Sequence, residues 1–226
     1  MNLILDIIFP KRCVSCKKFG HFFCIDCQSK LITPFDICPV CKLGSVYGKT
    51  HTKCKSIYSL DGFCVAFVYR DSLRKAIHKY KYKPYIEELT PIFTDLMVSK
   101  INKNFGFMSF IKSKPTVISI PLHWYKKHLR GFNQTELIAK YLAKLLNLPY
   151  MDILKRTKYT KPQSSLTKKE RQENVENIFK IKTNFNVPKS VILFDDVWTT
   201  GSTLKNATKI LKEQGAETIW ALTLAR

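Results

Sequence analysis

The stretch Val191-Ile-Leu-Phe-Asp-Asp-Val-Trp-Thr-Thr-Gly-Ser-Thr203 decides the fold of this chain. Its leading apolar residues predict a strand that is buried on both faces, as strands of parallel sheets are. Asp195 and Asp196 follow at the carboxyl end of that strand, which is where open parallel sheets bind ligands. Small and hydroxyl residues then predict a turn into a helix whose N–H groups can hold a phosphate. Because carboxylates repel phosphate, the acidic pair predicts hydrogen bonds to sugar hydroxyls beside that loop.

Strand and helix patterns alternate on both sides of this stretch. Apolar residues at helical spacing mark 72–82, where Leu73, Ala76, Ile77 and Tyr80 share one face. The predicted strands are 63–69, 116–120, 191–196 and 218–224. The predicted helices are 72–82, 86–101, one that begins after Asn133, and 202–214, for which Gly215 is the predicted C-cap. This alternation predicts an α/β fold in which helices cover both faces of a parallel sheet.

The helix that begins after Asn133 carries a capping signature. Asn133 is the predicted N-cap, and Glu136 stands three residues later. The apolar residues predicted to be buried are Leu137, Ile138, Tyr141, Leu142, Leu145 and Leu146.

Seven of the eight cysteines lie before residue 55, mostly in Cys-x-x-Cys pairs. Such spacing is typical of zinc sites, since a tetrahedral zinc takes four Cys or His ligands. The first predicted site consists of Cys13, Cys16, Cys24 and Cys27, and the second of Cys38, Cys41, His51 and Cys54. His51 has an alternative interpretation as an ordinary loop residue, so one or two structural zinc ions are expected. Cys64 lies in a strand pattern and is predicted to be a buried thiol.

The formal net charge of +21 indicates a polyanionic partner, with a generally basic composition as the alternative explanation. Basic residues are dense in 70–83 and 126–171, and Tyr80 and Tyr82 stand among the former. Tyrosines between lysines favour single-stranded DNA, although Tyr80 also fits the helix core. No duplex-reading motif is found.

The apolar run 3–9 is too short for an export signal or a membrane span, so we expect a cytoplasmic protein without an integral membrane segment.

Segments spread along nearly the whole chain resemble the ComF family of competence proteins. They are IFPKRCVSC, the paired cysteines, IHKYKY, PLHWYKKHLRGFNQTELIAKYLA, RTKYTKPQSSLTKKERQENVENIF and VILFDDVWTTGST. The last of them also resembles the phosphoribosyl pyrophosphate motif of type I phosphoribosyltransferases. The resemblance implies a double zinc ribbon over 1–60 and a type I phosphoribosyltransferase-like parallel sheet with flanking helices over 61–226.

The resemblance assigns roles to particular residues. Asp195 and Asp196 would bind the ribose hydroxyls of phosphoribosyl pyrophosphate, which carries Mg²⁺. The residues that would bind its 5′-phosphate are Thr199, Thr200, Gly201, Ser202 and Thr203. Arg130 is a candidate for the pyrophosphate, since its guanidinium offers two aligned donors, although a solvated arginine is the alternative. The further substrate-binding candidates are Lys81, and Gln163 and Arg171 in a basic stretch over 155–178 that resembles a hood loop.

Three functions are compatible with the sequence. The first is a phosphoribosyltransferase with a nitrogen nucleophile as acceptor, in DNA uptake or in nucleotide metabolism. The second is a protein that holds single-stranded DNA during natural transformation through a relict phosphate site, with a helicase or uptake machinery as partner. The third is a zinc-stapled scaffold with a degenerate site, against which the intact acidic pair counts.

Overall fold

A parallel sheet forms the centre of the fold in the computed structural model, which describes residues 10–82, 86–122, 132–157 and 178–226. The strands in chain order are β1 (Gly62–Phe67), β2 (Thr116–Ser119), β3 (Leu154–Arg156), β4 (Phe179–Ile181), β5 (Ser190–Val197) and β6 (Thr218–Ala225). Four of them form the sheet in the order β1-β6-β5-β2, and every neighbouring pair is parallel. The four strands predicted from the sequence are those of this sheet, so the prediction is confirmed.

Helices pack on the sheet as the alternating pattern predicts. They are α1 (Ile25–Ser29), α2 (Asp71–Lys81), α3 (Leu89–Ile101), α4 (Phe105–Ile111), α5 (Gln134–Leu145) and α6 (Ser202–Glu213). Helix α4 was not predicted. It begins after Asn104, whose side chain accepts the N–H of Phe107 at 2.8 Å. A short cap-dependent helix of this kind gives too little periodicity to be seen in the sequence.

The two faces of the sheet belong to two apolar clusters, because side chains alternate along each strand. On β5, Ile192 and Phe194 pack with α2, α3 and α5, whereas Val191 and Leu193 pack with α6. The first cluster also contains Val14, Phe23 and several of the amino-terminal cysteines. The sheet is therefore covered on both faces, which confirms the predicted α/β class.

Helix α5 buries Ile138 and Leu142 as predicted, but the rest of its buried face differs from the prediction. Tyr141 and Leu145 are exposed, and its buried residues are Gln134, Thr135, Ile138, Ala139, Leu142 and Ala143. The small alanines let α5 lie close to α3 and β2, which it contacts, and that packing outweighs the larger apolar residues. Asn133 is the N-cap residue, as predicted, but its side chain makes no capping hydrogen bond.

A small antiparallel sheet stands apart from the central one. Strand β3 pairs with β4, and Arg156 lies opposite Phe179. The basic stretch over 155–178 was predicted to begin as a loop, but Lys155 and Arg156 belong to β3. Pairing between distant segments depends on tertiary structure and leaves no local pattern in such short strands. Residues 158–177 lie outside the described residues.

The amino-terminal segment is tied to the sheet by hydrogen bonds. The N–H of Thr50 donates to the carbonyl of Asp61 at 3.0 Å, and the Asn104 amide donates to both carboxylate oxygens of Asp36 at 3.2 Å. The division of the chain at residues 60 and 61 stays a prediction. Among the helices within the described ranges, none has the length and apolar character needed to cross a lipid bilayer.

Candidate functional site

The acidic pair lies at the carboxyl end of β5, where the neighbouring β2 has already ended. Strand β2 last pairs at Ser119, opposite Phe194, whereas β6 continues beside Asp195. Asp196 forms an ion pair with Lys81, with Oδ2 and Nζ 2.5 Å apart. Their side chains are only 15% and 20% exposed, so water screens this pair less than it screens a surface pair. The structure thus brings three of the predicted site residues together.

The pKa of Asp195 is raised to about 7 by burial and by the charge of Asp196, although Lys81 and Arg156 lower it. One of its carboxylate oxygens also accepts the N–H of Asp196 at 2.9 Å. At neutral pH its carboxyl is therefore divided between the protonated and ionised forms. A carboxyl whose pKa burial and a neighbouring charge raise this far is typical of ligand-binding and catalytic sites.

Arg156 opens the segment RTKYTKPQSSLTKKERQENVENIF, but nothing in that pattern predicted it as a site residue. It reaches the site from β3 and interacts electrostatically with Asp195. Burial lowers its pKa, and the charge of Asp195 opposes that effect. The guanidinium also lies over the ring of Phe179, 5.9 Å from its centroid. Only the pairing of β3 with β4 brings this cation to the acidic pair.

A tryptophan and a glycine set the shape of the loop after the acidic pair. Gly201 has a φ of +82°, and a Cβ placed on it would lie 2.2 Å from the indole nitrogen of Trp198. The indole is buried and packs edge-on against Phe63, with ring centroids 4.1 Å apart. No other residue fits position 201, since it requires both positive φ and the absence of a side chain.

The loop leads directly into α6, a helix of twelve residues. The hydroxyls of Thr200 and Ser202 are 2.9 Å apart, and the carbonyl of Gly201 accepts the N–H of Lys205. The first N–H groups of a helix have no partner within it, so this end can receive an anion. The exposed Thr199 and the partly buried Thr203 lie at the same end. The remaining predicted site residues, Arg130, Gln163 and Arg171, lie outside the described residues.

The first predicted zinc site is assembled in the structure. Its sulfur atoms lie within 4.8 Å of one another and belong to Cys13, Cys16, Cys24 and Cys27. The Sγ atoms of Cys13 and Cys27 are 3.7 Å apart, and those of Cys16 and Cys24 are 3.5 Å apart. Thiolates bound to a tetrahedral zinc lie about 3.8 Å apart, given a Zn–S distance of about 2.3 Å. The donor set and its spacing therefore fit zinc.

The second cluster has the same arrangement, with one imidazole. Its members are Cys38, Cys41, His51 and Cys54. Nδ1 of His51 faces the cluster, 3.4 Å from the sulfur of Cys41, whereas Nε2–H donates to the carbonyl of Gly44 at 3.1 Å. That second bond leaves the Nδ1 lone pair free for a metal, as outer-shell hydrogen bonds do in zinc sites. The geometry therefore favours the ligand interpretation of His51 over an ordinary loop residue.

Both clusters are built on the same turn. The N–H of Cys13 donates to the carbonyl of Lys18, and that of Cys38 to Leu43, each at 2.8 Å. The residue after the second cysteine of each of these two turns has positive φ, 68° at Lys17 and 65° at Lys42. Burial raises the pKa of the first thiol in each turn, but backbone N–H groups outweigh it and lower the pKa to about 6 for Cys13 and about 7 for Cys38. Backbone hydrogen bonds in the turns thus favour the thiolate, the form that binds zinc, at Cys13 and Cys38. Burial has the opposite effect at Cys54, where it raises the pKa to about 11.

Comparisons with known proteins agree with the fold of the central sheet and its helices. The phosphoribosyl transferase domain model matches residues 135–226. Competence protein F of Haemophilus influenzae is 31% identical over 96% of this chain and 98% of its own length. Competence protein ComFC of Bacillus subtilis is 29% identical over 90% of this chain and 83% of its own length. The DNA utilization protein YhgH of Escherichia coli strain K12 is 25% identical over 96% and 97% of the two chains.

We predict two zinc ions per chain, and one after His51→Ala or after Cys13→Ser. Each substitution removes one donor from a four-donor set, and tetrahedral sites with three protein ligands hold structural zinc poorly. The measurement is elemental analysis of the purified protein, supported by chromophoric titration of zinc released by a thiol reagent. Cys64→Ala is the matched control, because this buried thiol lies outside both clusters and should leave two ions bound. Unchanged zinc content in His51→Ala would contradict the second site.

The raised pKa of Asp195 predicts a stability loss as the pH rises from about 4 to about 7. In that window the folded chain retains the Asp195 proton and the unfolded chain does not, so folding becomes less favourable with rising pH. We expect Asp195→Asn to remove this loss and raise the free energy of unfolding at pH 8 by about 1–3 kcal/mol relative to the wild type. Denaturant titrations at several pH values measure it. The exposed Asp95→Asn serves as control, and identical pH profiles for Asp195→Asn and wild type would refute the prediction.

Proposed function

The chain belongs to the ComF family of competence proteins, and from that membership we propose that it binds phosphoribosyl pyrophosphate or a related sugar phosphate. It is a competence-related, phosphoribosyltransferase-like protein. The observation that carries the proposal is the acidic pair Asp195 and Asp196 next to the amino end of α6. Carboxylates and helix N–H groups this close together suit a ligand with a diol at one end and a phosphate at the other.

Each part of the site has a task in the proposed complex. Asp195 and Asp196 accept hydrogen bonds from the ribose hydroxyls, and the loop with Gly201 holds the 5′-phosphate. Lys81 neutralises Asp196 and offers a cation to the pyrophosphate, and Mg²⁺ accompanies that group. Arg130 is proposed as a further pyrophosphate ligand. Gln163 and Arg171 are proposed to close over the site.

The reaction that this site supports is transfer of the phosphoribosyl group to a nitrogen nucleophile. Loss of pyrophosphate from C1 leaves an oxocarbenium-like ribose, which the nitrogen then attacks. The chain contributes positioning and stabilisation of the leaving charge. A glutaminase step from a cysteine has no support, since seven thiols belong to the clusters and Cys64 is buried. A non-catalytic role, in which the same site only binds its ligand, is the alternative.

A second proposed activity is binding of single-stranded DNA, and a basic groove favours it. The groove has a volume of about 550 Å³ and lies between the first cysteine turn and α2. Its basic lining residues are Lys17, Arg74, Lys75, His78 and Lys79. The exposed rings of His78 and Tyr82 lie at its end, 4.7 Å apart, where they can stack with bases. The opposite face of α2 is buried, Tyr80 included, so the helix presents its cations outward.

Helix α2 also joins the groove to the sugar-phosphate site. Its last residue, Lys81, pairs with Asp196, and the groove residues lie one to two turns before it. A strand held along α2 would therefore end beside the acidic pair. The name of the Escherichia coli relative, a DNA utilization protein, is in keeping with a DNA ligand. The helicase or uptake machinery expected from the family stays a proposed partner.

We predict that Asp195→Asn and Asp196→Asn each weaken phosphoribosyl pyrophosphate binding about 10- to 100-fold. A hydrogen bond to a charged acceptor is worth about 1.5–3 kcal/mol, and each substitution removes one such acceptor. Isothermal titration calorimetry with Mg²⁺ present measures the loss. Asp95→Asn, an exposed carboxylate on α3, is the control. Equal affinity in all four proteins, or no binding to the wild type, would reject the sugar-phosphate site.

For DNA, we predict that Lys75→Gln combined with Lys79→Gln weakens binding of a single-stranded oligonucleotide and flattens its salt dependence. Each lost phosphate contact reduces the slope of log K against log salt by about 0.7, so the double variant loses about 1.4. Fluorescence anisotropy over a series of salt concentrations measures the slope. Lys112→Gln with Lys114→Gln removes the same charge from exposed positions after α4. A slope reduced equally in both double variants would show that the groove is not the binding face.

A further inference from the structure

A second cleft, with a volume of about 580 Å³, lies behind the phosphate loop. Its walls are the second cysteine turn, residues 56–60 and the first turns of α6. Thr200, Gly201 and Ser202 border it, but the diol carboxylates and Lys81 do not. The cleft is therefore a separate space from the proposed sugar-phosphate site and shares only the loop with it. Its volume falls within the usual range for ligand pockets, about 300–1,000 Å³.

The floor and rim of this cleft are apolar and partly aromatic. Phe63 and Trp198 form part of the floor and are buried, with their rings edge to face. Val40 and Tyr58 also line the cleft and stand 47% and 43% exposed, which is unusual for large side chains next to a concave space. Exposed aromatic and apolar groups around such a pocket suit a flat ring, which can stack with Tyr58.

The polar lining of the cleft is cationic. Lys42, Lys205 and Lys209 border it, and among the described residues that line it none is acidic. In the described part of the chain, Lys42 and Lys205 have no ion-pair partner, whereas Lys209 lies 3.9 Å from Glu213. The amide nitrogen of Asn206, another lining residue, is buried and has no hydrogen-bond acceptor there. A ligand for this space must therefore bring an anion and an acceptor, in addition to a flat ring.

We propose that the cleft binds a nucleobase together with its adjoining phosphate, taken from a free nucleotide or from a DNA strand. The base packs between Tyr58 and the apolar floor, and a base carbonyl or ring nitrogen accepts from Asn206. The phosphate pairs with Lys205 and Lys42. A bound base rests on Trp198, whose indole fixes the conformation at Gly201, so the occupant also steadies the phosphate loop.

Adenosine 5′-monophosphate is the first probe, and full-length protein with its zinc content verified is the sample. We expect Tyr58→Ala to weaken binding about tenfold in calorimetric titrations, since stacking of one base is worth about that much. We expect a loss of about the same size for Lys205→Gln, which removes a charged hydrogen bond to the phosphate. Tyr141→Ala and Lys112→Gln remove the same groups from exposed positions elsewhere and should leave the affinity unchanged. Ribose 5-phosphate, which lacks the base, should not respond to Tyr58→Ala.

Two further binding measurements distinguish the possible results. Asp195→Asn should leave nucleotide binding intact. If Asp195→Asn abolishes nucleotide binding while Tyr58→Ala does not, the nucleotide occupies the sugar-phosphate site. The cleft proposal is then wrong. A twelve-nucleotide oligodeoxyadenylate tests whether the base belongs to a DNA strand. If Tyr58→Ala and Lys205→Gln weaken binding of the oligonucleotide but not of the free nucleotide, the cleft binds DNA. If neither the nucleotide nor the oligonucleotide responds to the two cleft variants, the proposal is overturned. Binding of phosphoribosyl pyrophosphate is measured in a separate titration. Failure of the cleft proposal can therefore be told apart from failure of the proposed function.

Discussion

The unequal hydrogen bonding of β5 along its two edges is the constraint on which the rest of the structure depends. Both edges are paired as far as Phe194, but beyond it only β6 continues, because β2 ends at Ser119. Within the described residues, the acidic pair therefore has a neighbouring strand on the β6 side alone. The part of β5 that is paired on both edges and buried, 191–194, is wholly apolar, and the carboxylates follow where the pairing with β2 stops.

Placing two carboxylates side by side at this edge is electrostatically unfavourable. Cations from distant parts of the chain offset that penalty. Two adjacent carboxylates repel each other, and burial adds to the penalty, which raises the pKa of Asp195 to about 7. Lys81 comes from the end of α2 and Arg156 from β3, and both favour the ionised form of Asp195. The net charge of +21 is not what stabilises the pair, because screening restricts the effect to nearby cations.

The cysteine turns do more than bring candidate zinc ligands together. Val14 and Phe23, which lie between the ligands of the first cluster, belong to the core that covers one face of the sheet. The second turn carries Val40 and Lys42 to the cleft beside α6. Four-donor clusters fix such short segments without a hydrophobic core of their own. Both turns thus fix surfaces that are continuous with the α/β fold.

The sequence by itself determined the four strands of the central sheet, most helices, the acidic pair, the phosphate loop and the membership of both cysteine clusters. These features are local: an apolar run, a helical period or a Cys-x-x-Cys spacing specifies each without reference to distant residues. Tertiary structure alone decided that Lys81 pairs with Asp196, that Arg156 faces Asp195 and that Nδ1 of His51 faces its cluster. It also decided which face of α5 is buried, because close packing of Ala139 and Ala143 outweighs the apolar pattern. Contacts between segments far apart in the chain depend on how the elements pack, and that packing leaves no periodic trace in the sequence.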